Sequence, residues 1–158
     1  MIVVNVEMKL KEYTPSDLDD IIEIFEKSII GTCRKDYADS QIQAWLSGID
    51  REKWNGTFLE HYSLLAYFDG KPIGFGDISK EGHLNLLYVL PGFQHRGVAT
   101  RICEELERNA KYPILVEASI TAKPFFLNRG YTVMKEQKVY RKGVALTNFR
   151  MKKEKASG

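Results

Sequence analysis

The segment that most constrains the fold is Val89-Leu90-Pro91-Gly92-Phe93-Gln94-His95-Arg96-Gly97-Val98-Ala99-Thr100. Strand-forming residues fill 83–89, and Pro91-Gly92 ends that strand. From Gly97 onward the apolar residues Val98, Ile102 and Leu106 recur every four positions, with Ala99 and Cys103 alongside. Strand, turn, glycine and helix in that order leave the first N–H groups of the helix without internal partners and aim them, with the positive end of the helix dipole, at whatever lies in front. Gly97 lets main chain approach closely, Ala99 keeps the helix start uncrowded, and Arg96 adds a charge-assisted donor, so a pyrophosphate is the natural guest. The alternative is a plain strand-to-helix turn. No Gly-x-x-x-x-Gly-Lys-Ser/Thr occurs, and Gly74-x-Gly76 lacks the third glycine and the helix of a dinucleotide fingerprint, so ATP and NAD are disfavoured.

Around this segment the chain alternates strand and helix signals. Met8 to Tyr13 reads as a strand, and Thr14-Pro15-Ser16-Asp17 as the N-cap and first turn of a helix. Its stripe of Leu18, Ile21, Ile22, Phe25 and Ile29 ends at Gly31, expected in the left-handed cap position. Shorter helical pieces are expected at Ser40 to Leu46 and around Arg51 to Leu59. His61 to Phe68 and Lys71 to Ile78 are strands joined by the hairpin signal Asp69-Gly70. His83 to Val89, Ile114 to Ala118, and two strands within Tyr131 to Arg150 broken near Gly143 complete the set, with a short helix at Ala122 to Asn128 closed by Gly130 and a loose tail over Lys152 to Gly158. The expected order is β-α-α-β-β-β-α-β-α-β-β, one α/β domain over residues 1–158 built around a mixed sheet.

Composition excludes several classes. The 23 basic and 21 acidic side chains give a net charge of only +2, scattered rather than gathered in a stripe, so nucleic acid is not an expected partner. Cys33 and Cys103 form neither a Cys-x-x-Cys pair nor a disulfide framework. The apolar run at Met1 to Glu7 is too short for a signal peptide, no segment is long enough for a membrane span, and a cytoplasmic protein is expected. His61 and His95 have no second ligand at metal spacing, so no metal is expected.

Val89-x-Pro91 followed by Gln94-x-x-Gly97-x-Ala99 resembles the acetyl-CoA signature of the GNAT acyltransferases, and Ser119-Ile120-Thr121-Ala122-Lys123-Pro124-Phe125-Phe126-Leu127-Asn128-Arg129-Gly130-Tyr131 resembles the family's second motif. The resemblance implies a mostly antiparallel sheet with a splayed cleft between the fourth and fifth strands, holding acetyl-CoA as cosubstrate. It implies that Gln94, His95, Arg96, Gly97, Val98, Ala99 and Thr100 hold the pyrophosphate. Main chain of Leu87, Tyr88 and Val89 would bond the pantetheine amides, one N–H polarising the thioester carbonyl, with Ser119 and Phe125 also touching the cofactor. The acetyl group would pass directly to an amine of a small molecule or a protein, by a monomer or a homodimer.

The pattern departs in two places. Phe126 stands where relatives carry the tyrosine that protonates the leaving thiolate, and Ser119 where they often carry asparagine. Tyr88, Tyr140 or water is left as proton donor; a binding module with little turnover is the rival reading, and a domain for some other nucleotide a third. For the general base, His83 has an imidazole that titrates near neutral pH, and Glu117 lies near the expected split, where partial burial would suit proton transfer. Each is alternatively an ordinary strand residue. Tyr37 is the candidate acceptor-pocket aromatic, whereas Trp45 shares helical spacing with Ile42 and Leu46 and reads as core, as does Cys103.

Overall fold

The computed structural model describes residues 8–156, so Met1 to Glu7 and the last two residues lie outside the described part. Its strands and helices are β1 (Lys9–Glu12), α1 (Leu18–Thr32), α2 (Asp39–Leu46), α3 (Arg51–Glu60), β2 (Tyr62–Phe68), β3 (Lys71–Ile78), β4 (His83–Val89), α4 (Val98–Arg108), β5 (Ile114–Ser119), α5 (Lys123–Asn128), β6 (Thr132–Arg141) and β7 (Val144–Lys153). The strands form one seven-stranded sheet in the order β1-β2-β3-β4-β5-β7-β6, antiparallel everywhere except between β4 and β5. No described helix is long and apolar enough to cross a membrane.

Both faces of the sheet are covered. In β2, Leu64 and Ala66 turn to one side and Leu65 to the other, and all three are buried. On the first side α4 contributes Val98, Ile102, Cys103 and Leu106, and α5 contributes Phe126. On the second side lie α1, with Ile21, Ile24, Phe25 and Ile29, then Ile42 of α2 and Phe58 of α3. Gly74 and Gly76, which carry no nucleotide fingerprint, have a packing role: a Cβ on either would stand 3.0–3.3 Å from Val98, Ile102 or Leu106 side-chain atoms, so their bareness lets α4 lie close against β3.

Local turn chemistry behaves as its residues require. Asp69 and Gly70 adopt φ of 51° and 75°, the pair of positive values a two-residue hairpin needs. A short 3₁₀ turn at Pro15–Asp17 precedes α1, where the Asp17 carboxylate accepts from the Thr14 N–H at 2.8 Å and from Lys11 Nζ at 2.5 Å.

Three expectations need correction. Gly31 is not a left-handed cap, because α1 runs through it to Thr32; a Cβ there would lie 2.5 Å from Pro91 Cγ, so glycine is needed for the close approach of α1 to the turn after β4. The first inter-strand connection carries three helices rather than two. Lys152 and Lys153 belong to β7 rather than to a loose tail, paired with Leu115 and Ile114 of β5.

Candidate active site

Two irregularities of β4 define the site. Its register against β3 shifts between Ile78↔Leu84 and Asp77↔Leu86, leaving Asn85 as an extra, bulged residue. Its parallel ladder to β5 comprises only His83↔Leu115 and Leu84↔Val116, so the two strands pair at their starts and not beyond. Leu90 N–H donates to Ile73 O. Antiparallel alternation then turns the main-chain groups of Leu87 and Val89 away from β3, toward the β5 side.

The bulge is held by a buried carboxylate. Asp77, fully buried, accepts from Leu86 N–H at 3.0 Å and from Asn85 Nδ2 at 2.9 Å, and its Oδ2 lies 2.8 Å from His61 Nδ1. Burying a carboxylate is costly unless its lone pairs are satisfied, and here each oxygen has partners. The hydrogen bond to Asp77 raises the His61 pKa above the ordinary imidazole value, against the opposing effect of burial.

Beyond β4 the chain turns through Pro91–Phe93 to the exposed stretch His95-Arg96-Gly97. Gly97 has φ of 77°, and His95 is also left-handed at 61°. Gly97 occupies the N-cap of α4, supplies no side-chain cap, and has nothing within 4 Å of where a Cβ would be. The first N–H groups of α4 therefore face open space, the arrangement that receives an anion. Arg96 lies 5.5 Å from the Phe93 ring centroid, a cation–π contact that orients it near this turn. Gln94 is spent differently: its Nε2 donates to Val89 O at 2.8 Å, where Ser28 Oγ also donates at 2.8 Å.

At the other end of the opening, a cavity of about 260 Å³ is lined by His83, Leu115, Val116, Glu117 and Arg150. Leu84, Val116 and Met151 pack into the α4 and α5 side. By strand alternation His83, Leu115, Glu117 and Arg150 lie on the opposite face. Glu117 and Arg150 are directly opposed across β5 and β7. Both are exposed, so the partial burial expected of Glu117 is not found. Asn148, the cross-strand partner of Ser119, has a buried Oδ1 with no hydrogen-bond partner.

A sequence model described as an acetyltransferase (GNAT) domain matches residues 33–153. The chain belongs to the GNAT acetyltransferase family. It is 33% identical over 146 residues to the uncharacterized N-acetyltransferase YafP of Escherichia coli K12, covering 92% of this chain and 95% of that protein. Among solved structures, a GCN5-related N-acetyltransferase from Rhodopseudomonas palustris superposes with a TM-score of 0.87 at 30% identity, covering 98% of each chain. The PaiA N-acetyltransferase of Thermoplasma acidophilum, solved in complex with coenzyme A, superposes at 0.77 with 19% identity over 94% of this chain and 99% of that one. The structure of yncA from Salmonella typhimurium, which holds acetyl-CoA, superposes at 0.69 with 14% identity, covering 96% of each.

Set against a GNAT acetyltransferase site, the remaining sequence-derived residues fall in distinct places. Phe126 is buried in the core between Phe125 and Tyr131, its ring centroid about 5 Å from each. Ser119 Oγ accepts from Ala122 N–H at 3.0 Å and so caps the turn into α5. Tyr88 packs edge-on to Phe25 at 5.0 Å, on the α1 side of the sheet, and burial pushes its phenol far above the ordinary value. Tyr140 is 65% exposed on β6, with β7 standing between that strand and β5. Tyr37 is buried; its hydroxyl donates to Thr147 O at 2.6 Å and accepts from Ile120 N–H at 2.9 Å, tying the loop after α1 to the ends of β5 and β7. Asp36 reinforces this tie by accepting from Thr121 Oγ1 at 2.7 Å. Sequence reasoning missed the Asp77–His61–Asn85 group, since His61 and Asp77 are joined only by the register of β2 against β3. Among the described residues no group of three or more His, Cys, Asp or Glu is arranged to hold a metal.

Proposed function

We propose that this acetyltransferase moves the acetyl group of acetyl-CoA directly to a primary amine, in a cleft between β4 and β5. One observation carries the reading: the parallel ladder ends after Leu84↔Val116, with the uncapped start of α4 at one end of the gap and the His83–Glu117 cavity at the other. The residues present suit the cofactor. The open space at Gly97 and the unpartnered N–H groups of Val98, Ala99 and Thr100 fit a pyrophosphate, with His95 main chain and Arg96 beside them. Main chain of Leu87 and the Val89 N–H suit the pantetheine amides; the Val89 carbonyl is already taken by Ser28 and Gln94. Gln94 therefore acts by fixing the end of β4, and Ser119 and Phe125 flank the opposite wall.

His83 is the proton acceptor for the acceptor's ammonium, and Glu117 holds that ammonium in place. When bound, acetyl-CoA supplies the thioester whose C–S bond breaks as the amine nitrogen forms the new C–N bond, its thiolate then taking, through water, the second proton that this nitrogen gives up. Tyr140 is too remote for that last role, and burial raises the Tyr88 phenol above its ordinary value, which disfavours it there. Tyr37, with both lone pair and proton engaged, shapes the roof over β5 rather than binding the acceptor. Residues 1–158 act as one domain in this reading.

The test is a thermal-shift titration with acetyl-CoA, with ATP and NAD as controls. A ligand at a hundred times its dissociation constant stabilises the fold by about 2.7 kcal/mol. Gly97→Glu is expected to abolish the shift while the protein stays folded, and Gly97→Asn, which tolerates the left-handed region, to retain most of it. Absence of any acetyl-CoA shift in the wild type refutes the cofactor site. Binding without turnover of any amine favours the module with little catalysis, the reading that Phe126 motivates.

A further inference from the structure

The cavity at the start of the β4–β5 gap holds two opposite charges that do not neutralise each other. Glu117 and Arg150 are directly opposed across the β5–β7 ladder and both line the cavity. Yet neither takes part in an ion pair with any described residue. Opposed cross-strand residues have Cβ atoms about 4.5–5.5 Å apart, within easy reach of a salt bridge. Here the two side chains border a hollow instead. Leu115 and Val116 supply an apolar floor beside them, and His83 stands across the β4–β5 ladder from Leu115.

We propose that this cavity is the acceptor site and that it takes a small zwitterion, an amino acid whose amine and carboxylate are separated by one or two carbons. Glu117 receives the ammonium, Arg150 the carboxylate, and His83 removes the proton that makes the amine a nucleophile. The inference rests on the acetyl-transfer reading and narrows its acceptor.

Three features select this class over other amines. The volume of about 260 Å³ lies just below the range of roughly 300–1,000 Å³ typical of drug-sized ligands, which favours a small guest. Arg150 carries a planar fork of donors that matches a carboxylate, and it is always charged. A simple amine or a diamine would leave that guanidinium facing a cation or nothing. The short reach between the two opposed side chains matches a guest whose charges are close together, and it mismatches one whose charges lie at the ends of a long chain. The surrounding polarity agrees. Asn148 stands two residues before Arg150 on the same strand, its buried Oδ1 lacking a partner, and so offers a further acceptor on that face.

The chemistry balances without an added reactant. The ammonium gives one proton to His83, the neutral nitrogen forms the C–N bond as the thioester C–S bond breaks, and the second proton lost from that nitrogen passes through water to the departing thiolate, so the products are an N-acetyl amino acid and CoA, with one proton left on His83. The acceptor carboxylate takes no part in bond making and serves only to orient.

The experiment uses the full chain saturated with acetyl-CoA and a panel of the standard L-amino acids, β-alanine, their carboxamides and their decarboxylated amines. Thiol release reports turnover, and the melting shift in the presence of CoA reports binding. At least one free amino acid is expected to exceed its carboxamide and decarboxylated form in kcat/KM by about tenfold or more. Arg150→Gln is expected to raise KM for that acid about tenfold while leaving KM for the decarboxylated amine within about twofold, and Arg150→Lys to restore part of the loss. Both side chains are exposed, so these variants keep the wild-type melting temperature and the acetyl-CoA shift. An acetyl-CoA shift together with equal use of acids, amides and simple amines overturns the proposal and leaves the acetyl-transfer reading standing. An acetyl-CoA shift with neither turnover nor a carboxylate-dependent binding shift anywhere in the panel also overturns the proposal. Loss of the acetyl-CoA shift itself overturns both.

Discussion

Each face of the sheet holds a buried carboxylate with several partners, Glu107 on one and Asp77 on the other, and the two are used in different ways. On the α4–α5 face, Glu107 accepts from Tyr131 OH at 2.7 Å, Arg129 at 2.5 Å, Lys153 Nζ at 3.1 Å and Cys103 Sγ at 3.3 Å. On the other face, Asp77 accepts from one main-chain N–H, one amide and one imidazole. Glu107 joins α4 to the turn before β6 and to the end of β7, with two permanent cations among its partners. Asp77 shapes β4 at its bulge, next to the last residue of β4 that pairs with β5, and its ring partner titrates. One face is held by charge at any physiological pH, whereas the other depends on a histidine whose pKa is raised above 6.5.

The largest test of this contrast is Glu107→Ala. It leaves Arg129 and Lys153 without their shared anion in a site where Glu107 is only 6% exposed. Breaking one partner of a buried pair costs about 3–5 kcal/mol, to be read from urea denaturation. A loss under about 1 kcal/mol would show that the network is not the lock described here.

Gly31→Ala comes next. The new methyl meets the Pro91 ring, and overpacking of this kind costs about 1–3 kcal/mol. Because Pro91 begins the turn that leads to Gly97, the acetyl-CoA dissociation constant should rise as well. A variant that loses stability but keeps its acetyl-CoA affinity would separate the two faces more sharply than the structure does.

The pH dependence distinguishes the carboxylates directly. Burial pushes the Glu107 pKa up, but the hydrogen bonds from Tyr131, Arg129 and Lys153 outweigh it and hold the group below its ordinary 4.5. Its contribution is therefore present above that value and is lost as pH falls through the lower folded value. His61 has the opposite sign. Its pKa is raised from 6.5 by Asp77 against burial, with Glu60 and Glu81 adding to the rise. Its contribution is complete below 6.5 and is lost as pH rises through the higher folded value. Melting temperatures between about pH 6 and 9 should fall with rising pH in the wild type more than in His61→Asn, whose amide still donates to Asp77. Parallel curves would break the comparison.

The smallest effect is expected at Tyr140→Phe. An exposed hydroxyl away from the cleft should change stability by less than about 0.5 kcal/mol and leave kcat unaltered. A large fall in kcat would return Tyr140 to the site as proton donor.

Much of the cofactor side was legible in the residues themselves. Pro91-Gly92, Gly97 and the four-residue spacing of Val98, Ile102 and Leu106 mark a strand end and a helix start, and the structure has both. The hairpin at Asp69-Gly70 and the strand bounds of 71–78 and 83–89 follow equally from local signals. Gly31 shows where such reasoning fails: a glycine at the end of an apolar stripe reads as a cap, but its reason is a proline sixty positions later. Glu117 shows the same for exposure, because whether a strand residue is covered depends on which helices reach that part of the sheet. No described helix covers β5 there.

The sequence by itself determined the family, the order of the seven strands and the turn from β4 into α4, since each depends on residues within a few positions of one another and on fixed backbone sterics. Only the tertiary structure decided that Asp77 meets His61 and Asn85, that Glu107 gathers Arg129, Tyr131 and Lys153, and that Glu117 faces Arg150 across an open hollow. Those meetings depend on strand order and register, with β7 inserted between β5 and β6, and a one-residue slip in any ladder would turn the same side chains to the opposite face.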